Sequence, residues 1–189
     1  VGGRLVKLDT SREETFVSTR VRHAIRYHMI THTRPDGTMV ARKMGAWSNQ
    51  GGYASHGHSI AAKGVTAFRM LYCNHKPALE ADAYTVFTNL PTAGAMRAYG
   101  IPQVSFAMEC HLDDIAARLG MNPVALRQKN FMPVGLRDEA AKLENYFDSL
   151  NQCVAAGRKH IDYDNKLALY QNQTGPVRGL SRITTTGER

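Results

Sequence analysis

A short segment between Gly94 and Gly100 carries the residue types in this chain that are best suited to chemistry. It contains Arg97 and, two residues later, Tyr99, in a stretch that the two glycines keep from forming a regular element. A guanidinium group has a rigid, planar set of donors that can stabilise developing negative charge. The residues alone leave alternatives open: Arg97 can equally pair with a carboxylate such as Glu109, and Tyr99 can be a core aromatic residue.

A second candidate is the pair His56 and His58, because imidazoles two residues apart in a strand lie on one face and can share a metal. No third or fourth ligand is placed nearby, so an ordinary loop is favoured and we predict no metal ligands. The cysteines Cys73, Cys110 and Cys153 are far apart and form no Cys-x-x-Cys motif, which argues against an iron–sulfur cluster or structural zinc. This cysteine usage is typical of the reducing cytoplasm.

The elements that must position the first candidate lie between residues 81 and 130. A run of β-branched and aromatic residues at 81–88 predicts a strand that leads into the loop. Pro102 suits the first turn of a helix, and apolar residues at three- and four-residue spacing predict that this helix continues to 119. Asn122 then predicts the N-cap of a second helix ending at 130. The first helix also has apolar residues on its opposite face, which predicts cover on both sides: Phe106, Cys110 and Ala117.

The first half of the chain predicts a sheet. Alternating residues at 23–33 and 38–48 flank a turn in which Pro35 presets one dihedral angle and Gly37 takes the left-handed position. We predict a hairpin there, with a further strand at 4–8 and the strand at 81–88 in the same antiparallel sheet. Val40, Met44 and Ala46 are predicted to share one face of the second hairpin strand, and Ser11 and Glu14 to form a capping box.

The last third predicts helices at 143–159 and 163–173, after a poorly patterned stretch at 131–143 in which residues 132–135 have the composition of a linker. The predicted fold class is therefore α+β, an antiparallel sheet with packed helices. We divide the chain into a domain at 1–135, with the loop at 92–103 and helices at 102–130, and a helical extension with a short polar tail at 136–189.

The composition excludes fewer classes of protein than the motifs do. The 189 residues are 43% hydrophobic and 21% charged, as in ordinary globular proteins, and no apolar run is long enough for a membrane span. The formal net charge of +8 leaves open a non-enzymatic basic module that binds nucleic acid or an acidic partner protein. Lys and Arg are dispersed, however, with no basic run longer than two residues, and this argues against a nucleic-acid site.

The loop and its flanks resemble the signature of molybdenum hydroxylases, the xanthine dehydrogenase and aldehyde oxidase family, in their molybdopterin-binding large subunit. The loop itself reads Gly94-Ala95-Met96-Arg97-Ala98-Tyr99-Gly100-Ile101-Pro102-Gln103. Matching flanks are Thr88-Asn89-Leu90-Pro91, Glu109, Asp114-Ile115-Ala116, Gly120, Asn122-Pro123, Arg127, Lys129-Asn130 and, upstream, Ser11-Arg12-Glu13-Glu14, Thr19, Arg20, Arg22 and His23. The segment at 51–60 also resembles bacterial members, in which it binds no metal. Ala98 departs from the usual glycine, and the residues after Arg178-Gly179 depart from the family pattern.

The resemblance implies a part of a molybdopterin-binding domain, nearest to the bacterial xanthine dehydrogenases of purine metabolism. Such enzymes hydroxylate a purine, another N-heterocycle or an aldehyde, with water as the oxygen source. The molybdenum cofactor is then bound by the large subunit, with iron–sulfur clusters and FAD on partner subunits or domains. The family's catalytic glutamate lies downstream of the segment present here, so we expect an internal fragment that is inactive alone and binds no cofactor by itself.

The resemblance also assigns site residues. It implies that one set of loop residues contacts the cofactor: Gly94, Ala95, Met96, Arg97, Gly100 and Gln103. Arg97 would in addition stabilise charge during catalysis, while Tyr99 and Lys63 would border the substrate. Apart from the resemblance, Gln103 can simply cap the helix that Pro102 begins.

Overall fold

The computed structural model describes residues 2–70, 72–139 and 142–171. Within them, helices and strands follow one another in the order α1 (Arg12–Ser18), β1 (Ile25–Thr33), β2 (Met39–Gly51), α2 (Gly57–Met70), β3 (Ala78–Phe87), α3 (Ile101–Leu119), α4 (Pro123–Asn130), β4 (Arg137–Asp138), β5 (Leu143–Glu144), α5 (Ser149–His160) and α6 (Tyr163–Gln171). The predicted α+β class is confirmed: a three-stranded sheet, ordered β1-β2-β3, carries helices on one face.

The predicted hairpin of β1 and β2 is confirmed. The two strands pair antiparallel, and the connecting turn closes through a bond from the Gly37 amide to the Arg34 carbonyl, with Gly37 at a φ of +85°. The prediction for Val40 was wrong. The register passes from His32–Ala41 to Thr33–Met39, so Val40 is the extra residue of a β-bulge and points to solvent.

The third strand corrects the predicted pairing, because β3 runs parallel to β2 rather than antiparallel. The cause is α2, a helix that the sequence analysis did not predict and that returns the chain to the starting end of β2. Its glycines and β-branched residues are poor helix formers, which obscured it. The available signal was the three- and four-residue spacing of its buried residues, Gly57, Ile60, Ala61, Gly64 and Phe68.

The main core lies between the sheet and the two helices α2 and α3. It consists of apolar side chains with almost no exposed surface: Met39, Met44, Phe68, Tyr72, Val104, Met108 and Leu112. Arg42 is buried among them, with its guanidinium 4.2 Å from the centre of the Phe68 ring and a nitrogen 3.0 Å from the sulfur of Met108. Removal from water lowers the pKa of Arg42 to about 10, so the group stays charged at neutral pH.

The buried side chain of Asn130 and the half-buried side chain of Arg127 tie the helices to this core. Asn130 accepts from the Met39 amide at 3.0 Å and donates to the carbonyls of Gly37 and Leu126, each at 2.9 Å. Arg127 forms ion pairs with Glu109 at 2.6 Å and Asp113 at 2.7 Å. These contacts join α4 to the hairpin turn and to α3.

Some of the remaining predictions are confirmed and others are wrong. The capping box of Ser11 and Glu14 and the N-cap of Asn122 are confirmed. The two late helices are observed as α5 and α6, but α5 begins at Ser149 rather than at 143, where the chain forms β5 instead. The predicted strand at 4–8 was wrong: those residues form no regular element and are exposed, because no strand of the described structure lies beside them to pair with. The short strands β4 and β5 pair with each other after the predicted linker. The tail from residue 177 lies outside the described residues.

The far side of α3 is also open in the described part of the chain. Phe106 is 75% exposed, so the predicted cover on both sides of this helix was wrong here. The physical reason is that the elements packed against α3 in the described structure, namely β1, α2 and α4, leave the face that carries Phe106 uncovered. None of the helices that could be searched is both long and apolar enough to cross a bilayer.

Candidate functional site

The candidate site is the loop at 92–103, and its base is formed by the ends of β2 and β3. Gly51 has a φ of +76°, and a Cβ added there would lie 2.3 Å from the Pro91 carbonyl oxygen, so only glycine permits this approach. Thr88 donates its hydroxyl to the Asn49 side chain at 2.7 Å. The Ala93 amide then donates to the Gln50 carbonyl at 3.1 Å, which fixes the start of the loop against the sheet.

The segment just before β1 holds the loop from a second side. Gly94 donates to the Val21 carbonyl at 3.0 Å, and a Cβ added at Gly94 would lie 2.2 Å from Cδ of Arg20. Arg22 donates to the carbonyl of Arg97 at 2.9 Å. Arg20 and Arg22 match the family pattern in sequence, but the sequence alone assigns them no role. The structure shows that they support the loop.

The apex of the loop has a consecutive left-handed backbone. Ala98, Tyr99 and Gly100 have φ angles of +68°, +49° and +101°, and this explains why glycine is usual where Ala98 stands. A Cβ added at Gly100 would lie 2.5 Å from the carbonyl oxygen of Ile60, so the first turn of α2 packs directly against the loop. The loop is therefore held by β2, the segment before β1, and α2.

The same conformation leaves backbone donors available. The amides of residues 95–98 and of Gly100 have no hydrogen-bond acceptor within the described residues. Arg97 is exposed beside them and forms no ion pair in the described part of the chain. The pairing of Arg97 with Glu109, one of the alternatives left open by the sequence, is not observed, because Glu109 binds Arg127 and the Tyr72 hydroxyl instead. Free amides and a cation together suit a ligand rich in electronegative atoms.

Tyr99 is half-buried rather than part of the core. Its hydroxyl lies 2.8 Å from Nδ1 of His56, and the two rings meet edge to face with centroids 5.9 Å apart. His58 lies one residue into α2 and is exposed. No group of three or more potential metal ligands occurs among the residues searched.

Gln103 does not cap α3, since Gly100 is the N-cap residue. Its side chain donates instead to the carbonyl of His23 at 3.1 Å, while its Oε1 is buried with no partner in the described structure. His23 is also buried, and neither ring nitrogen has a partner there. Burial lowers the pKa of His23 below its ordinary value of 6.5, so its imidazole is neutral at pH 7.

The predicted site residues fall into two groups. Six of them belong to one continuous loop that ends at the N-cap of α3: Gly94, Ala95, Met96, Arg97, Tyr99 and Gly100. Gln103 follows on the first turn of α3, whereas Lys63 lies on the exposed side of α2, the helix whose start touches the loop. No contact between Lys63 and the loop is found within the described residues. Sequence reasoning missed His56 as a partner of Tyr99.

Two clefts of the described structure lie away from this loop. One, of about 640 Å³, is lined by residues of α4, α5 and α6 and their connections, including Arg158 and Tyr163. The other, of about 280 Å³, lies between α2 and β3 and includes His58. Neither of these two clefts is lined by residues of the loop, whose residues 95–98 are exposed.

Comparison with known proteins agrees with this arrangement. The family model of the molybdopterin cofactor-binding domain matches residues 1–131, which include the sheet, the loop, α3 and α4. The chain belongs to this family.

The xanthine dehydrogenase molybdenum-binding subunit of Escherichia coli is 41% identical over 178 residues, which cover 94% of this chain and 23% of that protein. The nicotinate dehydrogenase large molybdopterin subunit of Eubacterium barkeri is 33% identical over 158 residues, covering 83% of this chain and 37% of the relative. Among solved structures, the aldehyde oxidoreductase from Desulfovibrio gigas superposes with a TM-score of 0.73 at 26% identity, covering 86% of this chain and 17% of the other.

The chain thus spans less than half the length of these relatives, between 17% and 37% of each. Their similarity favours a piece of a molybdenum hydroxylase large subunit over the basic-module alternative, because the matched residues include the loop and both helices that follow it.

Proposed function

We propose that this chain is the loop-bearing part of the large subunit of a xanthine dehydrogenase-like molybdenum hydroxylase. The whole enzyme would hydroxylate a purine, another N-heterocycle or an aldehyde, with water as the oxygen source. The observation that carries the proposal is the coincidence of the family match with a loop whose amides lack acceptors among the described residues and whose Arg97 is exposed. The described residues supply no complete active site, so we expect the isolated chain to be inactive.

The residues of the loop fit the molybdenum cofactor. A cofactor that binds metal through a dithiolene presents electronegative sulfur and oxygen atoms, and the free amides of residues 95–98 and Gly100 are donors for such atoms. Gly94 and Gly100 let the backbone turn where a side chain would collide with Arg20 or Ile60. When bound, the cofactor supplies the two-electron redox centre of the reaction.

We assign roles to the side chains on the same basis. Arg97, exposed next to the free amides, would hold negative charge that develops during the reaction. Tyr99 would offer an aromatic face to a planar substrate, and Lys63 a cation farther along α2. Gln103 would contribute to cofactor binding from the first turn of α3, where its Oε1 lacks a partner among the described residues.

The proposal also covers the domain organisation of the chain and the partner subunits of the enzyme. Residues 1–135 would form part of the molybdopterin-binding domain, and 136–189 a helical extension with its tail. Iron–sulfur and flavin subunits or domains would carry electrons away, because the three cysteines here are unpaired and well separated in sequence. A cytoplasmic enzyme without membrane or nucleic-acid partners is consistent with the free cysteines and the dispersed charge.

The test is made in the full-length subunit assembled with its partners. Arg97→Ala should lower turnover per bound molybdenum about 100-fold, the loss of roughly 3 kcal/mol that removal of one preorganised donor produces. Tyr99→Ala should mainly raise KM, because an aromatic face stabilises the bound substrate before reaction. Arg26→Ala is the control, since Arg26 is an exposed arginine on β1 outside the loop.

A purely structural role for both residues predicts a different result. Yield and thermal stability would then fall, while turnover per bound molybdenum and KM would match those of the unmodified enzyme. That outcome would overturn the proposed roles.

A further inference from the structure

The proposed function gives no role to His56. Its side chain nevertheless makes the contact that fixes Tyr99. The separation of 2.8 Å between its Nδ1 and the Tyr99 hydroxyl is that of a good hydrogen bond. The bond joins residues 43 positions apart in sequence. Such a contact depends on the tertiary fold and therefore constrains the ring of Tyr99 relative to α2.

The backbone of His56 is anchored independently of its ring. Its carbonyl accepts from the Ile60 amide at 3.0 Å, in the first turn of α2. The carbonyl of Ile60 lies against Gly100, where an added Cβ would come within 2.5 Å. His56 and Gly100, the residue after Tyr99, thus both contact the first turn of α2, which places the backbone of His56 beside the loop.

Tyr99 needs such support because its backbone is unfavourable. A φ of +49° places a bulky non-glycine residue in the left-handed region, directly after Ala98 at +68°. Backbones of this kind persist only where the surroundings determine them, and they concentrate at functional sites. Arg22 fixes the loop before Tyr99 through the carbonyl of Arg97. His56 fixes the side chain itself.

We propose that His56 is a positioning residue for substrate binding, acting through its hydrogen bond to the Tyr99 hydroxyl. This inference rests on the proposed function, in which the ring of Tyr99 contacts a planar substrate. Without the bond, the phenol ring would rotate about its side-chain torsions, and fewer molecules would present the ring in the orientation that binds. Loss of the bond therefore raises KM, and kcat changes little.

The experiment uses the full-length enzyme with xanthine as the probe, or nicotinate where xanthine is not turned over, and normalises rates to bound molybdenum. His56→Ala and Tyr99→Phe should each raise KM roughly fivefold, the equivalent of one neutral hydrogen bond, with kcat within about twofold. The double variant should be no worse than either single variant, because both changes remove the same bond.

Two further variants distinguish positioning from general damage. His56→Asn should restore KM, because a terminal atom of the asparagine amide occupies nearly the place of the imidazole Nδ1. His58→Ala, an exposed histidine two residues away, should leave KM unchanged. An equal rise of KM in His58→Ala would contradict the proposal.

The possible results distinguish the positioning role of His56 from the role of Tyr99 in the proposed function. If Tyr99→Ala raises KM but His56→Ala and Tyr99→Phe do not, the positioning role is overturned and the proposed function stands. If the effects of His56→Ala and Tyr99→Phe multiply in the double variant, the positioning role is also overturned. If Tyr99→Ala itself leaves KM unchanged, the role of Tyr99 in the proposed function is wrong, and the inference falls with it.

Discussion

Asn130 offers the sharpest test of how the helices are attached to the sheet. Replacing it with alanine removes three buried hydrogen bonds, one from the Met39 amide and two to the carbonyls of Gly37 and Leu126. A typical intramolecular hydrogen bond contributes about 1 kcal/mol, and a buried amide left without an acceptor costs about 1 kcal/mol or more. Met39 is 1% exposed, so water cannot replace the lost acceptor easily.

We therefore expect Asn130→Ala to lower the free energy of unfolding by roughly 3–4 kcal/mol. In a chain of this size each kcal/mol shifts Tm by about 2–4 °C, so Tm should fall by roughly 10 °C. Urea unfolding of the 189-residue chain at pH 7.5, followed by circular dichroism, measures the first quantity, and a thermal scan measures the second.

Asn122→Ala is the matched control at the other end of the same helix. Asn122 is half-buried and accepts from the amides of Val124 and Ala125 as an N-cap, an arrangement that typically stabilises by about 1 kcal/mol. Equal losses of unfolding free energy in the two variants would refute the argument, because it requires the buried, long-range bonds of Asn130 to contribute more than a local cap.

Two further predictions concern the loop and its surroundings. Ala98→Gly should stabilise the chain by about 0.5–1 kcal/mol, because relief of the left-handed strain outweighs the added flexibility of the unfolded chain, whereas Ala95→Gly, outside the left-handed region, should destabilise it. Urea unfolding measures both, and a loss in both would contradict the strain argument. The lowered pKa of buried His23 predicts stability that is full above pH 6.5 and declines below it, as the unfolded chain binds the proton first. An unchanged pH slope in His23→Gln would count against this assignment.

Much of the fold followed from local pattern. The turn around Gly37, the capping box at Ser11 and the N-cap at Asn122 each depend on neighbouring residues, so the sequence predicted them correctly. By contrast, α2 depends on packing against the sheet and α3, and its glycines concealed it. Missing α2 led directly to the wrong direction for β3.

The candidate site was also only partly predictable from the sequence. The loop could be recognised because its glycines and Arg97 are consecutive in sequence. Its supports could not, since Arg22 and His56 reach it over 75 and 43 positions through contacts that exist only in the folded chain. The match at Arg22 was visible in the sequence, but its hydrogen bond to the Arg97 carbonyl was not.

The central claim is that the loop binds the molybdenum cofactor, and the molybdenum content of two glycine variants tests it most directly. Gly100→Ala and Gly120→Ala both force alanine into a left-handed backbone, at φ angles of +101° and +64°. Only at Gly100 would the new Cβ collide, with the Ile60 carbonyl oxygen at 2.5 Å, whereas nothing lies within 4 Å at Gly120. The collision must displace the loop.

The measurement is molybdenum per folded full-length subunit, determined by mass spectrometry after purification with the partner subunits. We predict that Gly100→Ala loses most of its molybdenum, while Gly120→Ala retains the content of the unmodified enzyme. Equal molybdenum content in the two variants, with the Gly100→Ala subunit folded, would contradict the claim that this loop holds the cofactor.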